Sequence, residues 1–156
     1  MIDVEVAVTI RRPRRDVAAV MFDPHYDTAW IGSALHVEPT TSGPLRCGTK
    51  ITQVSRFLGR RVAELREVVE HVPDRSVEIV AQPCGLRIRY ELEGIPEGTI
   101  TRIRAQGRPT GSWRFVVGAL NPLLRRAVIR DLVRLKALLE SGAWRQLIPL
   151  PPVDRG

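Results

Sequence analysis

The chain consists of a long run of alternating segments followed by one long amphipathic segment near its end. Between residues 2 and 107, stretches of alternating apolar and polar residues are separated by turns rich in glycine and proline. Alternation with a period of two predicts half-buried strands, and tight turns between strands predict antiparallel pairing. Residues 121–141 instead repeat their apolar residues every three or four positions, which predicts a helix. Because an antiparallel sheet with one apolar face needs a cover, we expect this helix to lie across the sheet.

The same patterns predict seven strands and three helices. Residues 14–22 and 25–31 do not alternate, and they predict two short helices between the first two strands. Asn121 is expected to cap the final helix, with Pro122 in its first turn, where a missing N–H costs nothing. The apolar stripe of this helix comprises Leu124, Val128, Leu132, Leu135 and Leu139. We expect one domain over residues 1–141, followed by an extended, proline-rich tail over residues 142–156.

Charge and cysteine content limit the classes of partner. The net charge is +7, but the arginines are interspersed with acidic residues, as in Glu64-Leu65-Arg66-Glu67. No helix-turn-helix, zinc-finger or aromatic RNA-binding signature occurs, so we do not expect nucleic acid as a partner. No apolar run reaches 18 residues and no secretory leader pattern opens the chain, which argues against an integral membrane protein. Cys47 and Cys84 lack the spacing of a redox or metal motif, which favours reduced thiols in the cytoplasm.

Several segments together resemble a known superfamily. They are Phe22-Asp23-Pro24, Trp30-Ile31-Gly32, Gly43-Pro44 through Gly48-Thr49, Phe57-Leu58-Gly59-Arg60-Arg61, Glu67-Val68 to His71-Val72-Pro73, and Asp131 to Glu140. From about Ile2 to Glu140 the chain resembles the SRPBCC superfamily, in its polyketide cyclase/dehydrase-like branch. The resemblance implies the α+β helix-grip (START-like) fold, in which a seven-stranded antiparallel sheet wraps a long C-terminal helix. It also implies an elongated apolar pocket between helix and sheet. Members of this superfamily bind lipids, sterols and polyketides, and some catalyse cyclisation or dehydration, but no invariant catalytic motif can be transferred.

The residues that face this pocket depend on the register of residues 60–72. The preceding strand turns Ile51, Gln53, Ser55 and Phe57 to the pocket. If the hairpin has an even length, the residues of the next strand on that same face are Val62, Glu64, Arg66 and Val68. A one-residue slip or a bulge would replace this set with Ala63, Leu65, Glu67 and Val69. Apolarity favours the second set, whereas the resemblance favours Val68 pointing inward and so the first. In the first register Glu64 and Arg66 form a charged pair in an apolar pocket, which marks them as functional candidates because desolvating such a pair is costly.

Two aromatic residues complete the candidate site. Tyr90 offers an apolar ring and a hydroxyl that could hold a ligand oxygen or act as a general acid. The alternative, which the residues favour slightly, is a core tyrosine bonded to a neighbour. Trp30 is expected to pack as a lid between the short helices and the sheet. The catalytic candidates are Tyr90, Glu64 and Arg66. The ligand-binding candidates are Trp30, Gln53, Ser55, Phe57, Ile88, Tyr90, Leu120, Leu124 and Val128.

Neither a metal nor a cofactor is expected. His25, His36 and His71 are far apart, and none has the spacing of a metal site. His36 and His71 read as surface strand residues, and Cys84 as an inert thiol. The glycines follow strand turns rather than opening a helix, so no phosphate-binding or dinucleotide fingerprint is present.

Three functions remain compatible with the residues. The first is a module that binds a hydrophobic or amphipathic small molecule in the pocket. The second is a cyclase or dehydratase that uses Tyr90, Arg66 and Glu64. The third is an interaction protein whose tail, residues 144–152, docks on a partner or on the mouth of the pocket. The sequence leaves a homodimer open.

Overall fold

A computed structural model of the chain describes residues 1–57, 59–108, 115 and 117–147. Its strands are β1 (Ile2–Ile10), β2 (Ala34–Pro39), β3 (Lys50–Phe57), β4 (Arg60–Val72), β5 (Ser76–Gln82), β6 (Leu86–Ile95) and β7 (Gly98–Gly107). Its helices are α1 (Arg14–Met21), α2 (Asp27–Trp30) and α3 (Val117–Glu140), with 3₁₀ turns at Pro24–Tyr26 and Ala143–Gln146. Among the described residues, no helix is both long and apolar enough to cross a bilayer.

The strands form one antiparallel sheet in the order β1-β7-β6-β5-β4-β3-β2. Each strand from β3 to β7 pairs with the strand that precedes it in the chain, and β7 also pairs with β1. The short helices α1 and α2 carry the chain from one edge strand, β1, to the other, β2. The expected seven-stranded sheet, long C-terminal helix and two short helices between the first two strands are confirmed.

The core lies between the concave face of the sheet and α3. The predicted apolar stripe of α3 is confirmed, since Leu132, Leu135 and Leu139 are fully buried. They pack in one cluster with residues of α1 and of the central strands, including Val17, Val20, Val68, Ile79, Tyr90 and Ile103. Burying a leucine side chain stabilises a fold by about 2 kcal/mol. Burial of this stripe is therefore what holds the helix on the sheet.

The start of α3 differs from the expectation. The helix begins at Val117, and Pro122 lies inside it rather than in its first turn. Pro122 is the sixth residue of the helix, so its missing N–H removes one hydrogen bond close to an end where donors are unpaired in any case. Asn121 does not cap the helix but bonds to β1, accepting from the backbone N–H of Asp3 and donating to the carbonyl of Met1, both at 3.3 Å.

The other end of α3 is held by a side chain from the loop after β1. Arg12 Nε donates to the carbonyl of Leu139 at 3.0 Å, and Arg12 Nη2 donates to the carbonyl of Glu140 at 2.9 Å. The last carbonyls of a helix lack intrahelical donors, so a cation there satisfies them and complements the helix dipole. With Asn121 at one end and Arg12 at the other, α3 is tied to β1 along its length.

The register of β4 is the one with Val68 inward. Gln53 lies opposite Glu64 and Ser55 opposite Val62, so these residues share the concave face. Val68 is fully buried, whereas Leu65 is 49% exposed on the convex face. The bulge in β4 falls at Val69, between Val68 and Glu70 on the side of β5, and so leaves the set from Val62 to Val68 on one face. The register favoured by apolarity alone is therefore wrong, because the turn at Gly59 preserves strand parity.

Two local expectations at the surface were also wrong. The chain after α3 is not extended at its start, since Ala143–Gln146 forms a 3₁₀ turn and half-buried Trp144 packs against the core cluster. His71 is half-buried rather than a free surface residue, with its ring edge-on to Phe22 at 6.4 Å between centroids. Pro149, Pro151 and Pro152 lie outside the described residues, so the division into a domain of residues 1–141 and a tail stays a prediction.

Candidate functional site

A cavity of about 160 Å³ lies between the concave face of the sheet and the first turns of α3. Its wall is formed by Ile2, Ser33, Ser55, Arg56, Val62, Glu64, Arg66, Pro83, Cys84, Leu86, Ile88, Leu120 and Leu124. Most of this wall is apolar. Strand alternation brings Val62, Glu64 and Arg66 of β4, and Leu86 and Ile88 of β6, to the same side. The sequence candidates Ser55, Glu64, Arg66, Ile88, Leu120 and Leu124 are thus brought together at one cavity.

Two of the three charged residues of the wall, Glu64 and Arg66, form an ion pair with each other. Arg66 Nε and Nη2 both donate to Glu64 Oε2, at 3.1 and 3.0 Å. The two side chains are only 11% and 16% exposed. Burial acts to lower the pKa of Arg66, but nearby Glu64, Tyr90 and Asp27 outweigh it and the pKa is raised. Arg66 therefore keeps its charge, and the Glu64 carboxylate matches it.

A second polar pair lies next to the ion pair. Gln53 Nε2 donates to Ser55 Oγ at 2.8 Å, and Gln53 is fully buried directly opposite Glu64. Gln53 Oε1 is buried without a hydrogen-bond partner among the described residues. An unpaired buried carbonyl costs about 1–3 kcal/mol. Because Ser55 accepts a hydrogen bond from Gln53, its own hydroxyl proton is left to donate into the cavity that Ser55 lines.

Four further candidates lie behind the wall rather than in it, or cannot be placed. Tyr90 and Trp30 are buried with their rings edge-on at 5.9 Å between centroids. Val128 belongs to the same buried core cluster. The side chain of Phe57 lies outside the described part of the structure. A direct role of these residues in ligand binding stays a prediction.

Tyr90 belongs to the buried core and interacts electrostatically with Arg66 of the ion pair. Burial raises the pKa of the Tyr90 hydroxyl, Asp27 raises it further, and Arg66 opposes both. The phenol therefore stays protonated at neutral pH and is able to donate a hydrogen bond. Because it lies behind Arg66, Tyr90 is placed to act on a ligand through Arg66.

Asp27 was missed by sequence reasoning. It is only 8% exposed, and its carboxyl group makes no hydrogen bond or ion pair with any described residue. Burial raises its pKa to about 8, with Asp23 adding to the effect and Arg66 opposing it. Asp27 also shares a void of about 10 Å³ with Tyr90. The available signal was its position three residues before Trp30, which places both on one face of a short helix.

The loop between β5 and β6 supplies a second residue that was not expected at the site. Cys84 is half-buried and lines the cavity beside Pro83. Burial raises the pKa of its thiol, with Glu64 adding to and Arg66 subtracting from the effect. A protonated thiol is a weak nucleophile, so a catalytic role is not assigned to Cys84. Its thiol can instead be labelled slowly from outside as a probe of whether the cavity is occupied.

No group of three or more metal-ligating side chains occurs among residues 1–57, 59–108, 115 and 117–147. His25 Nδ1 lies 2.8 Å from Asp23 Oδ1 and does not line the cavity, and His36 is exposed beside Glu38. The polar residues of the cavity wall are thus the Glu64–Arg66 ion pair, Arg56, the serines Ser33 and Ser55, and Cys84, set among apolar side chains.

Comparison with protein families gives one match over most of the chain. The model of a family described as "Polyketide cyclase / dehydrase and lipid transport" matches residues 1–140. None of the curated proteins compared matches the chain.

Several solved structures share the fold at low sequence identity. A Thermus thermophilus protein, TTHA0849, superposes with a TM-score of 0.77 at 14% identity, over 90% of this chain and 99% of that one. A Bacillus halodurans protein, BH1534, superposes with a TM-score of 0.72 at 14% identity, over 89% and 97% of the two chains. DynU16, a protein of the dynemicin biosynthetic locus, superposes with a TM-score of 0.65 at 21% identity, over 90% of this chain and 48% of its own. At such identities the likeness establishes the fold alone.

Proposed function

Because this chain belongs to the polyketide cyclase / dehydrase and lipid transport family, we propose that it binds a hydrophobic or amphipathic small molecule, lipid- or polyketide-like. The ligand lies in the cavity between the sheet and α3. The observation that carries this proposal is a mostly apolar cavity with one ion pair, Glu64 and Arg66, facing into it. Ligand sites commonly combine apolar walls with a few polar groups that orient the ligand.

The size of the cavity limits what it holds without rearrangement. Its volume of about 160 Å³ is below the range of roughly 300–1,000 Å³ typical of sites for drug-sized ligands. A compact ring system or a short chain fits within it, whereas a larger ligand would extend through the mouth. The apolar part of the ligand packs on Ile88, Leu120 and Leu124, and its polar part meets Ser55 and the ion pair.

Labelling of Cys84 tests whether ligands occupy the cavity. In a Cys47→Ser variant, which lacks the exposed thiol, we expect decan-1-ol or 1-naphthol to slow maleimide labelling of Cys84 at least fivefold. Both probes should also raise the melting temperature, because they bind the folded state only. Leu124→Trp should abolish both effects, since the indole fills the cavity that Leu124 lines.

Val133→Trp is the matched control, because Val133 lies on the outer side of α3 and is 55% exposed. It should leave labelling and probe binding unchanged. If no probe protects Cys84 or raises the melting temperature of the parent protein, the cavity is not a ligand site.

A cyclase or dehydratase activity is the second candidate. It is favoured by the approach of Glu64 and Arg66 to the cavity, with the protonated Tyr90 behind them. In an aldol closure, the Glu64 carboxylate would take a proton from the carbon next to a ligand carbonyl. Arg66, held in place by Tyr90, would stabilise the negative charge that develops on the carbonyl oxygen.

Turnover of a linear poly-β-ketone tests this activity. Glu64→Gln should lower kcat about 100-fold or more, because it removes the base while keeping the shape. Tyr90→Phe should lower kcat about tenfold, with both variants remaining folded by circular dichroism. Arg102→Gln, on the convex face, is the control and should keep the parent rate. Unchanged rates in both site variants would exclude this mechanism.

We further infer a cytoplasmic protein from the two unpaired cysteines, Cys47 and Cys84. Nucleic acid is not proposed as a partner, since the arginines of β6 and β7 are bound to carboxylates, as Arg104 is to Asp3. A homodimer stays a prediction, which light scattering on the full chain tests.

A further inference from the structure

The side of α3 that faces away from the sheet carries exposed apolar residues. Leu123, Ile129 and Val133 are 42%, 40% and 55% exposed. Arg126 and Arg130 lie among them and are also exposed. Neighbours in this set are three or four residues apart, so all five lie on one side of the helix. We call this side the outer face of α3, and the buried leucine stripe lies opposite to it.

A large aromatic side chain is exposed just before the same helix. Phe115 lies two residues before the start of α3 and is 77% exposed, more than any other large apolar residue in the part of the chain that the structure describes. Single exposed apolar residues need no explanation. Here, however, four of them lie on or directly before one helix, which marks this surface as a place where the protein meets an apolar partner.

The arginines of the outer face are not neutralised by the helix itself. Arg126 and Arg130 have no carboxylate within ion-pair distance among the described residues. The acidic residues of α3 are Asp131 and Glu140, and both are held by other parts of the chain. Asp131 accepts a hydrogen bond from the backbone N–H of Gly32, and Glu140 accepts one from the loop after β1. The outer face therefore carries positive charge and no carboxylate.

The convex face of the sheet is built differently. Every arginine of β6 and β7 has a carboxylate partner, namely Glu78 for Arg87, Glu70 and Glu91 for Arg89, Glu93 for Arg102, and Asp3 for Arg104. On that face the positive charge is matched within the molecule. On the outer face of α3 it is unmatched and lies beside exposed apolar side chains.

We propose that the outer face of α3 docks on the surface of an anionic lipid bilayer. Arg126 and Arg130 lie against the headgroup phosphates, and the exposed apolar residues enter the boundary between headgroups and acyl chains. An anionic membrane supplies the negative charge that this face lacks, and its interface accepts apolar side chains. The docking is independent of the proposed function, because the cavity lies on the opposite side of the helix.

Two other occupants match this face less well. A symmetric dimer through it would bring the arginines of two copies together with no carboxylate between them, and like charges across an interface are unfavourable. A nucleic acid would match the charge but would also cover Leu123, Ile129 and Val133, whereas interfaces with nucleic acid are strongly polar. Cations interleaved with exposed apolar residues are the combination that a lipid surface accepts.

Sedimentation of the full chain with sucrose-loaded vesicles tests the docking. At low salt, vesicles of phosphatidylcholine with phosphatidylglycerol should bind the protein at least about tenfold more tightly than vesicles of phosphatidylcholine alone. Raising the salt concentration to about 0.5 M should remove most of this difference, because exposed charges are screened.

Two double variants separate the charged and the apolar contributions. Arg126→Gln/Arg130→Gln should weaken binding to the anionic vesicles about 25-fold, or about fivefold for each arginine. Ile129→Gln/Val133→Gln should weaken it about tenfold and leave the salt dependence unchanged, because this variant removes apolar contact and no charge. Glutamine suits a helix and these positions are exposed, so both variants should keep the circular dichroism of the parent.

The matched control is Arg102→Gln/Arg104→Gln. It removes two positive charges as well, but from the convex face, on the other side of the sheet from α3. This control should bind both kinds of vesicle like the parent protein.

Three results would overturn the docking. The first is equal binding to anionic and neutral vesicles. The second is a loss of binding in Arg126→Gln/Arg130→Gln that is no larger than in the control. The third is binding of a DNA or RNA duplex that is tighter than binding of the vesicles and unaffected by Ile129→Gln/Val133→Gln, which would assign the face to nucleic acid. None of these results depends on the cavity, so the proposed ligand binding stands or falls separately.

Discussion

Replacing Asp27 by asparagine should stabilise the protein at pH 8, by up to about 5 kcal/mol. Asp27 is buried without a hydrogen-bond or ion-pair partner among the described residues, and burial raises its pKa to about 8. An unfolded aspartate ionises near pH 3.9. At pH 8 the folded wild-type protein must therefore either keep the Asp27 proton, which the unfolded chain has lost, or bury a negative charge.

The sign of the pH dependence follows from the raised pKa. Below about pH 4 the group is protonated in both states, and asparagine and neutral aspartic acid are nearly equivalent. Between about pH 4 and pH 8 the unfolded state of the wild type is favoured by ~1.36 kcal/mol for each pH unit. The free energy of unfolding of the wild type should fall over this window, whereas that of Asp27→Asn should fall much less.

Urea denaturation at pH 4, 6 and 8 measures this difference. Asp3→Asn is the control, because Asp3 is exposed and ion-paired with Arg104. Its loss should destabilise the protein by less than about 1 kcal/mol, opposite in sign to the effect of Asp27→Asn. Equal stability of Asp27→Asn and wild type at pH 8 would mean that the Asp27 carboxylate is solvated or paired, contrary to the structure.

Removing Arg66 alone should destabilise the protein by about 3 kcal/mol. Arg66→Ala leaves the Glu64 carboxylate, only 16% exposed, without the guanidinium that now bonds to it. Losing one partner of a buried pair costs about 3–5 kcal/mol, and the lower end applies here because the cavity admits some water. The free energy of unfolding at pH 7, again from urea denaturation, is the measurement.

Two further variants show how much of the destabilisation by Arg66→Ala comes from the unpaired Glu64 charge and how much from lost packing. Glu64→Gln/Arg66→Met replaces both partners and should recover most of the lost stability, because no charge is left unpaired. Arg102→Ala breaks an ion pair with Glu93 on the exposed convex face and should cost less than about 1 kcal/mol. If Arg66→Ala is no worse than Arg102→Ala, then Glu64 reaches solvent and the pair is not a buried element of the site.

One polar cluster lies inside an otherwise apolar core. Glu64 and Arg66 line the cavity, Tyr90 lies behind them, and Asp27 belongs to the short helix α2. Glu64, Tyr90 and Asp27 all raise the pKa of Arg66. An apolar cluster of similar volume would be at least as stable. Under the function proposed above, these polar groups would serve to orient the ligand rather than to stabilise the fold.

The sequence alone was enough for the fold, because its periodicities are local. The alternation in β1 and β6 and the apolar stripe of α3 follow from which side of a strand or helix faces the core, and that pattern depends on neighbours within a few positions. Helix ends depend on more distant contacts. Asn121 has the chemistry of a cap, but it bonds to Asp3 and Met1, which only the folded chain brings near it.

The site depended on contacts between segments far apart in sequence. Glu64 and Arg66 could be named as candidates, but both registers of β4 remained compatible with the sequence, and the apolar pattern pointed to the wrong one. Asp27 was not among the candidates, because its burial depends in part on residues far from it in sequence, such as Ile51, Val77 and Tyr90, which line a void with it. Periodicity determined which elements form, whereas the space between them, and the charges enclosed there, were decided only when the sheet closed over α3.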